Sequence, residues 1–303
     1  MLTRLALGSF SPSVLLRVAR ETGRLAEQGL EVVEQAVTSS PAQFKSLIAG
    51  ELDAVLTSPD NVLAYRFLPD NPLSETVDVK IVSAIDRGMG LALFSGPGVS
   101  SVDELRHATF AVDVPNSGFA FAMYALAEHL GLPRSEYSVV SLGSTPNRLG
   151  ALLAGQCSAT MLNAGNDLLA AAAGSTELGQ VTDVVPSYLG TVLASAGGSV
   201  SEDITRLGAA LRAAADAVLS DTLDELTEAL AGSALHLTPE LATSYLRTLK
   251  DPRKGLIRDG RVDRTSMEAV LQLRCRFEPA FMDGVDLLAD ALNPAMGLIA
   301  PPP

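Results

Sequence analysis

The feature that most constrains the fold of this chain is an internal duplication, in which one pattern recurs 105 positions later. The run 39–61 overlies the run 144–166 without a gap. Each repeat in a protein is one structural unit, and two copies are too few for a solenoid. The identical pairs are Ser39/Ser144, Pro41/Pro146, Leu47/Leu152, Ala49/Ala154, Gly50/Gly155, Ala54/Ala159 and Asn61/Asn166. Two copies of a β-α-β-α-β unit predict two similar α/β lobes that face each other across a cleft.

The order of elements within a copy predicts a parallel sheet covered by helices. In the first copy, strands are predicted at 5–8, 31–37 and 53–57, and helices at 12–28 and 41–50. Ser before Pro marks both helix starts, because Ser caps a helix and Pro fits its first position. Strands that alternate with helices in this way imply parallel pairing. The 105-residue offset also aligns the first strand of the second copy, with Leu5 over Phe110.

Outside the two copies, the sequence predicts two crossings between the lobes and a helical C-terminal part. Strands at 79–84 and 91–94 flank the first crossing, and a return strand follows Pro186. The predicted first lobe is 1–86 plus 190–303, and the predicted second lobe is 87–189. The predicted C-terminal helices are 202–219, 221–232, 238–249, 264–275 and 279–291.

The composition argues against several kinds of partner. The chain has 303 residues and a net charge of −13, which opposes binding to nucleic acid or to an anionic membrane surface. Aromatic residues make up 5% and Trp is absent, so little surface is available for base stacking. Cys157 and Cys275 have neither disulfide-framework nor metal-ligand spacing. We therefore predict no cofactor, no metal, no nucleic acid partner and no direct membrane insertion.

The first residues bear on localisation. Met1–Arg4 lead directly into the first strand, without the pattern of a signal peptide or a cysteine for a lipid anchor. No apolar run reaches the length of a membrane span. As written, the sequence predicts a cytoplasmic protein. Removal of a signal peptide upstream of Met1 would instead make it periplasmic or extracellular.

Six loops of the duplicated units are predicted to line the cleft, because ligands bind beyond the carboxyl ends of parallel strands. These loops are rich in small hydroxyl and amide residues, and Phe10, Phe119 and Phe121 add apolar surface. Helix N-termini present free N–H groups that favour anions. As a set, the loops predict a site for a carboxylate, sulfonate or phosphate. Each loop taken alone is also explained as an ordinary helix cap. The loops are 8–11, 38–40, 57–61, 113–119, 142–145 and 162–166.

Several short motifs resemble one protein family. They are 48–54 in the first copy, 112–118 and 152–155 in the second, and 251–255 with 259–263 near the C-terminus. With these motifs the chain resembles type 2 periplasmic substrate-binding proteins, and within them the alkanesulfonate, nitrate, taurine and thiamine-precursor binding group. The resemblance covers nearly the whole chain. It implies an α/β fold of two lobes with mainly parallel sheets, a cleft between the lobes and a helical C-terminal part.

The resemblance also implies a ligand-binding set drawn from both lobes. The first lobe would contribute Ser9, Phe10, Ser11, Ser39, Asp60 and Asn61. The second would contribute Asn116, Ser117, Gly118, Phe119, Asn163 and Asn166. Ser58 in a cleft loop, Arg87 at the first crossing and Tyr188 at the second complete the predicted set. The predicted function is capture of a small anionic or zwitterionic molecule (a sulfonate, carboxylate or heterocycle) by hinge closure, with an ABC transporter permease as the implied partner.

A cytoplasmic enzyme of the same fold, such as a lyase, decarboxylase or hydrolase, is the alternative. No His maps to a cleft loop, and Cys157 lies at the wrong end of its strand, so Asp60, Asp86, Asp113 and Arg87 remain. Enclosed on closure, Asp60 would act as a base with a raised pKa, or it would hydrogen-bond a ligand amine or hydroxyl. Arg87 would hold a carboxylate in bidentate fashion, or it would neutralise Asp86.

Overall fold

The computed structural model describes residues 2–278 and 287–300, and the strands in this part of the chain form two five-stranded sheets. The strands are β1 (Thr3–Ser9), β2 (Leu30–Ala36), β3 (Ala54–Thr57), β4 (Val79–Asp86), β5 (Ala92–Ser95), β6 (Thr109–Val112), β7 (Ser138–Ser141), β8 (Ala159–Leu162), β9 (Thr176–Gln180) and β10 (Thr191–Ala196). One sheet has the order β2-β1-β3-β10-β4, and the other has the order β7-β6-β8-β5-β9. We call the parts built on them the first lobe and the second lobe.

Helices cover both sheets and build the C-terminal part. They are α1 (Val14–Glu21), α2 (Arg24–Glu27), α3 (Ser40–Ile48), α4 (Pro59–Phe67), α5 (Gly118–His129), α6 (Thr145–Leu153), α7 (Asn166–Ala172), α8 (Glu202–Val218), α9 (Asp224–Leu235), α10 (Pro239–Lys250), α11 (Arg264–Phe277) and α12 (Leu287–Leu292). Four of the predicted C-terminal helices correspond to α8–α11, whereas the one predicted at 279–291 lies largely outside the described residues. Among the described helices, none is long and apolar enough to cross a membrane.

The duplication is visible in the topology. The orders β2-β1-β3 and β7-β6-β8 are equivalent, and both units pair in parallel. Helices α3 and α6 begin and end 105 positions apart, and so do strands β3 and β8. The predicted repeat unit is therefore confirmed from its second strand onward.

The alignment of the first strands was wrong by two residues. Leu7 of β1 pairs with Glu34, whereas Phe110 of β6 pairs with Val139, which lies 105 positions after Glu34. Phe110 is therefore equivalent to Leu7 and not to Leu5. Because side chains alternate between the faces of a strand, a slip of two residues keeps the same residues facing the core. The hydrophobic pattern alone does not detect such a slip.

Two helices differ from the prediction. The helix expected over 12–28 begins at Val14 and is capped by Ser13, not by Ser11 before Pro12. It is also interrupted at Gly23, which has a φ of 76° and separates α1 from α2. Glycine adopts this left-handed conformation without the steric cost that a side chain would impose. Helix α4 was not predicted, although Ser58 caps it and Pro59 occupies its first turn. The Ser-Pro signal used for the other two helices was thus present here as well.

The chain passes between the lobes twice. It leaves the first sheet after Asp86, and β10 returns to pair antiparallel with β3 and β4. The predicted boundaries, 1–86 plus 190–303 and 87–189, stay a prediction. Helix α11 contacts both α4 of the first lobe and α5 of the second. The C-terminal part therefore links the two lobes a third time.

Candidate functional site

A cavity of about 120 Å³ lies between the lobes, where the loops after β1, β3, β6 and β8 meet. A cavity needs roughly 10–15 Å³ of such space to hold one water molecule, so this one has room for a compact organic molecule. The first lobe contributes Ser9, Phe10, Ser11, Ser58 and Asn61, among others, and the second contributes Asp113, Ser117, Gly118, Phe119 and Asn163. Equivalent loops of the two copies thus line the same cavity.

Three helices begin at the cavity wall, and each is capped by a serine of its own loop. Ser13 Oγ accepts a hydrogen bond of 3.2 Å in the first turn of α1. Ser58 Oγ accepts the Asp60 N–H at 3.3 Å in α4, and Ser117 Oγ accepts the Ala120 N–H at 3.3 Å in α5. The local sequence therefore turns the positive ends of three helix dipoles toward the same space.

The back wall of the cavity is made by the two crossing segments. The Gly190 N–H donates to the Asp86 carbonyl at 3.0 Å, and the Gly88 N–H donates to Asp86 Oδ1 at 2.7 Å. A Cβ atom on Gly190 would lie 2.3 Å from the Gly88 nitrogen, so only glycine allows this approach. Asn163 Nδ2 donates to the Gly88 carbonyl at 3.0 Å. The two crossing segments are therefore part of the site.

The cationic side chain of the cavity wall is Arg148, which the sequence analysis missed. Its exposed fraction is 2%, and it donates to the Gly143 and Met161 carbonyls and to two threonine hydroxyls. Its counterpart in the first copy is Gln43, which is fully buried and donates to the Leu56 carbonyl at 3.1 Å. Leu56 and Met161 are equivalent positions. In the gapless overlay, Gln43 aligns with Arg148. A polar residue at the same position of both copies is the sequence signal that could have identified Arg148.

Burial governs the ionisation of the charged groups in the wall. It raises the pKa of Asp86 to about 6, more than hydrogen bonds lower it. It also raises the pKa of Asp113, although Arg148 and Ser40 act in the opposite direction. Burial lowers the pKa of Arg148 to about 10, so the guanidinium remains protonated at neutral pH. Two carboxyl groups and one guanidinium therefore face this cavity.

Nine of the fifteen predicted ligand-binding residues line the cavity, and six do not. Those that line it are Ser9, Phe10, Ser11, Ser58, Asn61, Ser117, Gly118, Phe119 and Asn163. That these nine contact a ligand stays a prediction. The residues away from the lining are Ser39, Asp60, Arg87, Asn116, Asn166 and Tyr188, and each has another partner or lies in the core.

The structure does not place Asp60 as a free base or as a ligand contact. Its carboxylate forms a buried ion pair with Arg274 of α11, 2.7 Å from Nε to Oδ1. To reach the Asp60 carboxylate, a substrate that gives up a proton or a ligand amine would have to displace this guanidinium. The role that the enzymatic alternative gives to Asp60 therefore has no support in this geometry.

Arg87 also points away from the cavity. Its Nη2 lies 3.6 Å from Asp263 Oδ2, and its Nη1 donates to Ser266 Oγ at 3.2 Å. These contacts at the start of α11 engage its guanidinium, and a contact between Arg87 and a ligand carboxylate stays a prediction. Local sequence patterns do not predict this ion pair, because Asp263 lies far from Arg87 along the chain.

The other four residues have structural roles. Ser39 caps α3 by accepting the Ala42 N–H at 3.3 Å. The Asn116 carbonyl accepts a hydrogen bond of 3.0 Å from Arg274, and Asn166 Nδ2 donates to the Asn163 carbonyl at 3.0 Å. Tyr188 is 1% exposed and packs in the core of the second lobe.

Several cavity residues come from parts of the chain that the duplication does not cover. Tyr245 of α10 and Leu256 after it supply apolar wall from the C-terminal part, and Met89 supplies it from the first crossing. No repeated pattern marks them, so only the packing of the C-terminal helices reveals them. Cys157 is buried, and burial raises the pKa of its thiol to about 11.

The lobes are in contact at the cavity rim. The Ser144 N–H of the second lobe donates to the Thr38 carbonyl of the first at 3.0 Å. A Cβ atom on Gly118 would lie 2.5 Å from Asp60 Cβ and 3.0 Å from Ser58 Oγ. These contacts join loops that follow different sheets, so the structure is that of a closed cleft.

Comparison with solved structures finds the same architecture in proteins of low sequence identity, two of which are named as binding proteins. The alkanesulfonate-binding protein SsuA from Xanthomonas axonopodis pv. citri, bound to MOPS, is 13% identical with a TM-score of 0.73, covering 94% of this chain and 95% of that one. The periplasmic nitrate-binding protein NrtA from Synechocystis PCC 6803 is 13% identical with a TM-score of 0.70, covering 99% and 92%. A Candida albicans gene product described as having the generic periplasmic binding protein fold is 14% identical with a TM-score of 0.70, covering 98% and 96%.

No protein-family model matches the chain, and no curated protein sequence matches it. The structural likeness nevertheless extends over nearly the full length of each chain. The protein has the two-lobed periplasmic-binding-protein fold, as the sequence predicted. Among the described residues, no group of three or more His, Cys, Asp or Glu side chains is arranged to hold a metal ion.

Proposed function

We propose that this protein is a solute-binding protein that captures a small anionic or zwitterionic organic molecule in the cavity between its lobes. The observation that carries the proposal is the cavity itself. Equivalent loops of two duplicated units line it, and both crossing segments form its back wall. A cavity enclosed by two such lobes and closed at a hinge is suited to reversible capture.

The mechanism that follows is a shift between open and closed states. A ligand that touches Phe10 of the first lobe and Phe119 of the second makes both contacts only when the lobes approach. Such a ligand stabilises the closed state by its differential affinity. The Asp86–Gly190 contact stays at the hinge, where the motion is smallest.

The fold of the neighbours supports a binding role, since two of them are named for binding alkanesulfonate and nitrate. The enzymatic alternative has no comparable support, because Asp60 and Arg87 are both paired away from the cavity. We propose an ABC transporter permease as the partner that recognises the ligand-dependent closed shape. The two alternative locations, cytoplasmic and periplasmic or extracellular, stay predictions.

The proposal is tested by finding a ligand and then blocking the cavity. Native mass spectrometry of the purified protein identifies a copurifying molecule, and thermal unfolding is then measured with that molecule added back. A ligand at 100 times its Kd raises the free energy of unfolding by about 2.7 kcal/mol. The variant Ser11→Phe fills the cavity and is expected to abolish this gain.

The matched control is Ser199→Phe, which places the same side chain in an exposed loop away from the cavity. It is expected to respond to ligand like the wild type. Small-angle X-ray scattering should also show a ligand-dependent decrease in the radius of gyration under conditions that populate the open state. A ligand that stabilises Ser11→Phe as much as the wild type would contradict the proposal.

A further inference from the structure

The helix N-terminus nearest to Ser9 is already occupied by a carboxylate of the protein. Glu34 Oε1 accepts hydrogen bonds from Ser9 Oγ and from the Ser13 N–H, both at 2.7 Å. Ser13 is the residue that caps α1. The donors that would hold an anionic ligand at this point are therefore used by Glu34.

A second helix N-terminus is opposed by Asp113 across the lobe boundary. Ser40, the first residue of α3, lies near enough to the Asp113 carboxyl to lower its pKa. Burial nevertheless raises that pKa overall. Asp113 Oδ1 is enclosed and accepts no hydrogen bond within the described part of the chain. The negative charge of Asp113 is therefore incompletely compensated.

The guanidinium of Arg148 offers little to an anion. A guanidinium has five N–H donors. Arg148 Nε donates to Thr160 Oγ1 at 3.1 Å, Nη1 donates to the Gly143 carbonyl, and Nη2 donates to Thr145 Oγ1 at 3.1 Å and to the Met161 carbonyl at 3.2 Å. Four of its donors are thus engaged within the second lobe.

The side chains that line the cavity include more acidic groups than basic ones. Asp86 and Asp113 line the cavity against one guanidinium, and no Lys or His side chain is among the residues that the structure places in its wall. At the α1 and α3 N-termini, a bare anion would meet Glu34 and Asp113. A positively charged group would instead meet the Asp113 carboxylate, which lines the cavity.

We propose that the ligand carries a positively charged nitrogen, and that Asp113 is the residue that selects it. This inference rests on the proposed function and narrows it: the ligand is a zwitterion whose ammonium or similar group lies toward Asp113. Its acid group then lies toward the α4 and α5 N-termini at Ser58 and Ser117, where the neighbouring Asp60 carboxylate is already paired with Arg274.

The test uses two matched pairs of probes: 4-aminobutanoate with butanoate, and 3-aminopropanesulfonate with propanesulfonate. Affinities are measured by calorimetry at neutral pH. The amino member of at least one pair is expected to bind about tenfold more tightly or better, the gain expected from one charge-assisted hydrogen bond. Asp113→Asn is expected to remove that preference, so that the two members of each pair bind with similar affinity.

Asp103→Asn is the matched control, since it removes the same charge from an exposed position of the second lobe that pairs with Arg106. It should keep the wild-type preference. Equal or tighter binding of the plain anions would overturn the inference but leave the proposed function intact. Binding of none of the four probes would also overturn it, and the add-back experiment with the copurifying molecule then decides the proposed function separately. The wild-type comparison alone remains decisive if Asp113→Asn does not fold.

Discussion

Arg274 and Asp60 form a bidentate ion pair, with both nitrogen–oxygen distances at 2.7 Å, although 214 positions separate them in the chain. Their exposed fractions are 2% and 1%. Arg274 also donates to the Asn116 carbonyl and lies 5.0 Å from the centroid of the Phe121 ring in the second lobe. One side chain of α11 thus holds both lobes beside the cavity.

Breaking this pair from one side is expected to be costly. Arg274→Met leaves the Asp60 carboxylate buried without its partner, and we expect the free energy of unfolding to fall by about 3–5 kcal/mol in urea titrations. The double variant Asp60→Leu with Arg274→Met removes both charges. It should be more stable than the single variant, because no unpaired charge remains.

The same helix provides the control. Arg264→Met removes an exposed ion pair with Glu268, so its cost should be about 1 kcal/mol or less. If the double variant is no more stable than Arg274→Met, the loss arises from packing rather than from the isolated carboxylate.

Gly118→Ala is expected to weaken closure. The added Cβ would lie 2.5 Å from Asp60 Cβ, so the lobes have to separate before the methyl group fits. Ligand affinity should fall and the scattering radius of the liganded protein should rise. Gly150→Ala is the comparison within a helix of the same lobe, because nothing lies within 4 Å of its Cβ position. That variant should gain up to about 1 kcal/mol of stability and keep its affinity.

Asp167 provides a prediction about pH. Burial raises the pKa of this carboxyl from 3.8 to about 7, although the Gly165 N–H donates to its Oδ1 at 2.9 Å. The folded protein therefore binds the proton more tightly than the unfolded chain, and stability falls as pH rises from about 4 to about 7 and then levels off. Asp86 contributes in the same direction up to about pH 6.

Asp167→Asn cannot ionise and keeps the acceptor oxygen for Gly165. Above pH 7 its melting temperature should exceed that of the wild type, and its decline between pH 4 and 7 should be shallower. Melting curves across that range measure both effects. A wild-type slope that persists unchanged in the variant would assign the pH dependence to other groups.

Arg148→Lys tests the buried hydrogen bond from Arg148 to the Met161 carbonyl, which corresponds to the bond from Gln43 to the Leu56 carbonyl in the first copy. A lysine presents one ammonium where the guanidinium reaches the Thr160 hydroxyl and the Met161 carbonyl together. Each acceptor left unsatisfied should cost about 1–3 kcal/mol in the free energy of unfolding. Arg4→Lys, at an exposed position of β1, should stay within about 0.5 kcal/mol of the wild type. Equal stability of the two variants would show that these hydrogen bonds of Arg148 contribute little to the free energy of unfolding.

The sequence by itself determined the duplicated architecture and much of its local detail. Gapless overlay of 39–61 on 144–166 fixed the bounds of α3 and α6 relative to each other, because residue periodicity and Ser-Pro caps are local properties of the chain. The loops after the repeated strands followed from topology, since the carboxyl ends of parallel strands lie at one edge of a sheet. Nine predicted residues line the cavity for that reason.

Only the tertiary structure decided which charged groups are free. Asp60 and Arg87 were equally available in the sequence, and both proved to be paired with residues of the C-terminal part. The two-residue shift of the first strand and the contribution of Tyr245 to the wall were also beyond local patterns. A buried charge takes whichever partner the packing of distant segments brings within hydrogen-bond reach, and a linear sequence does not encode that distance in any local signal.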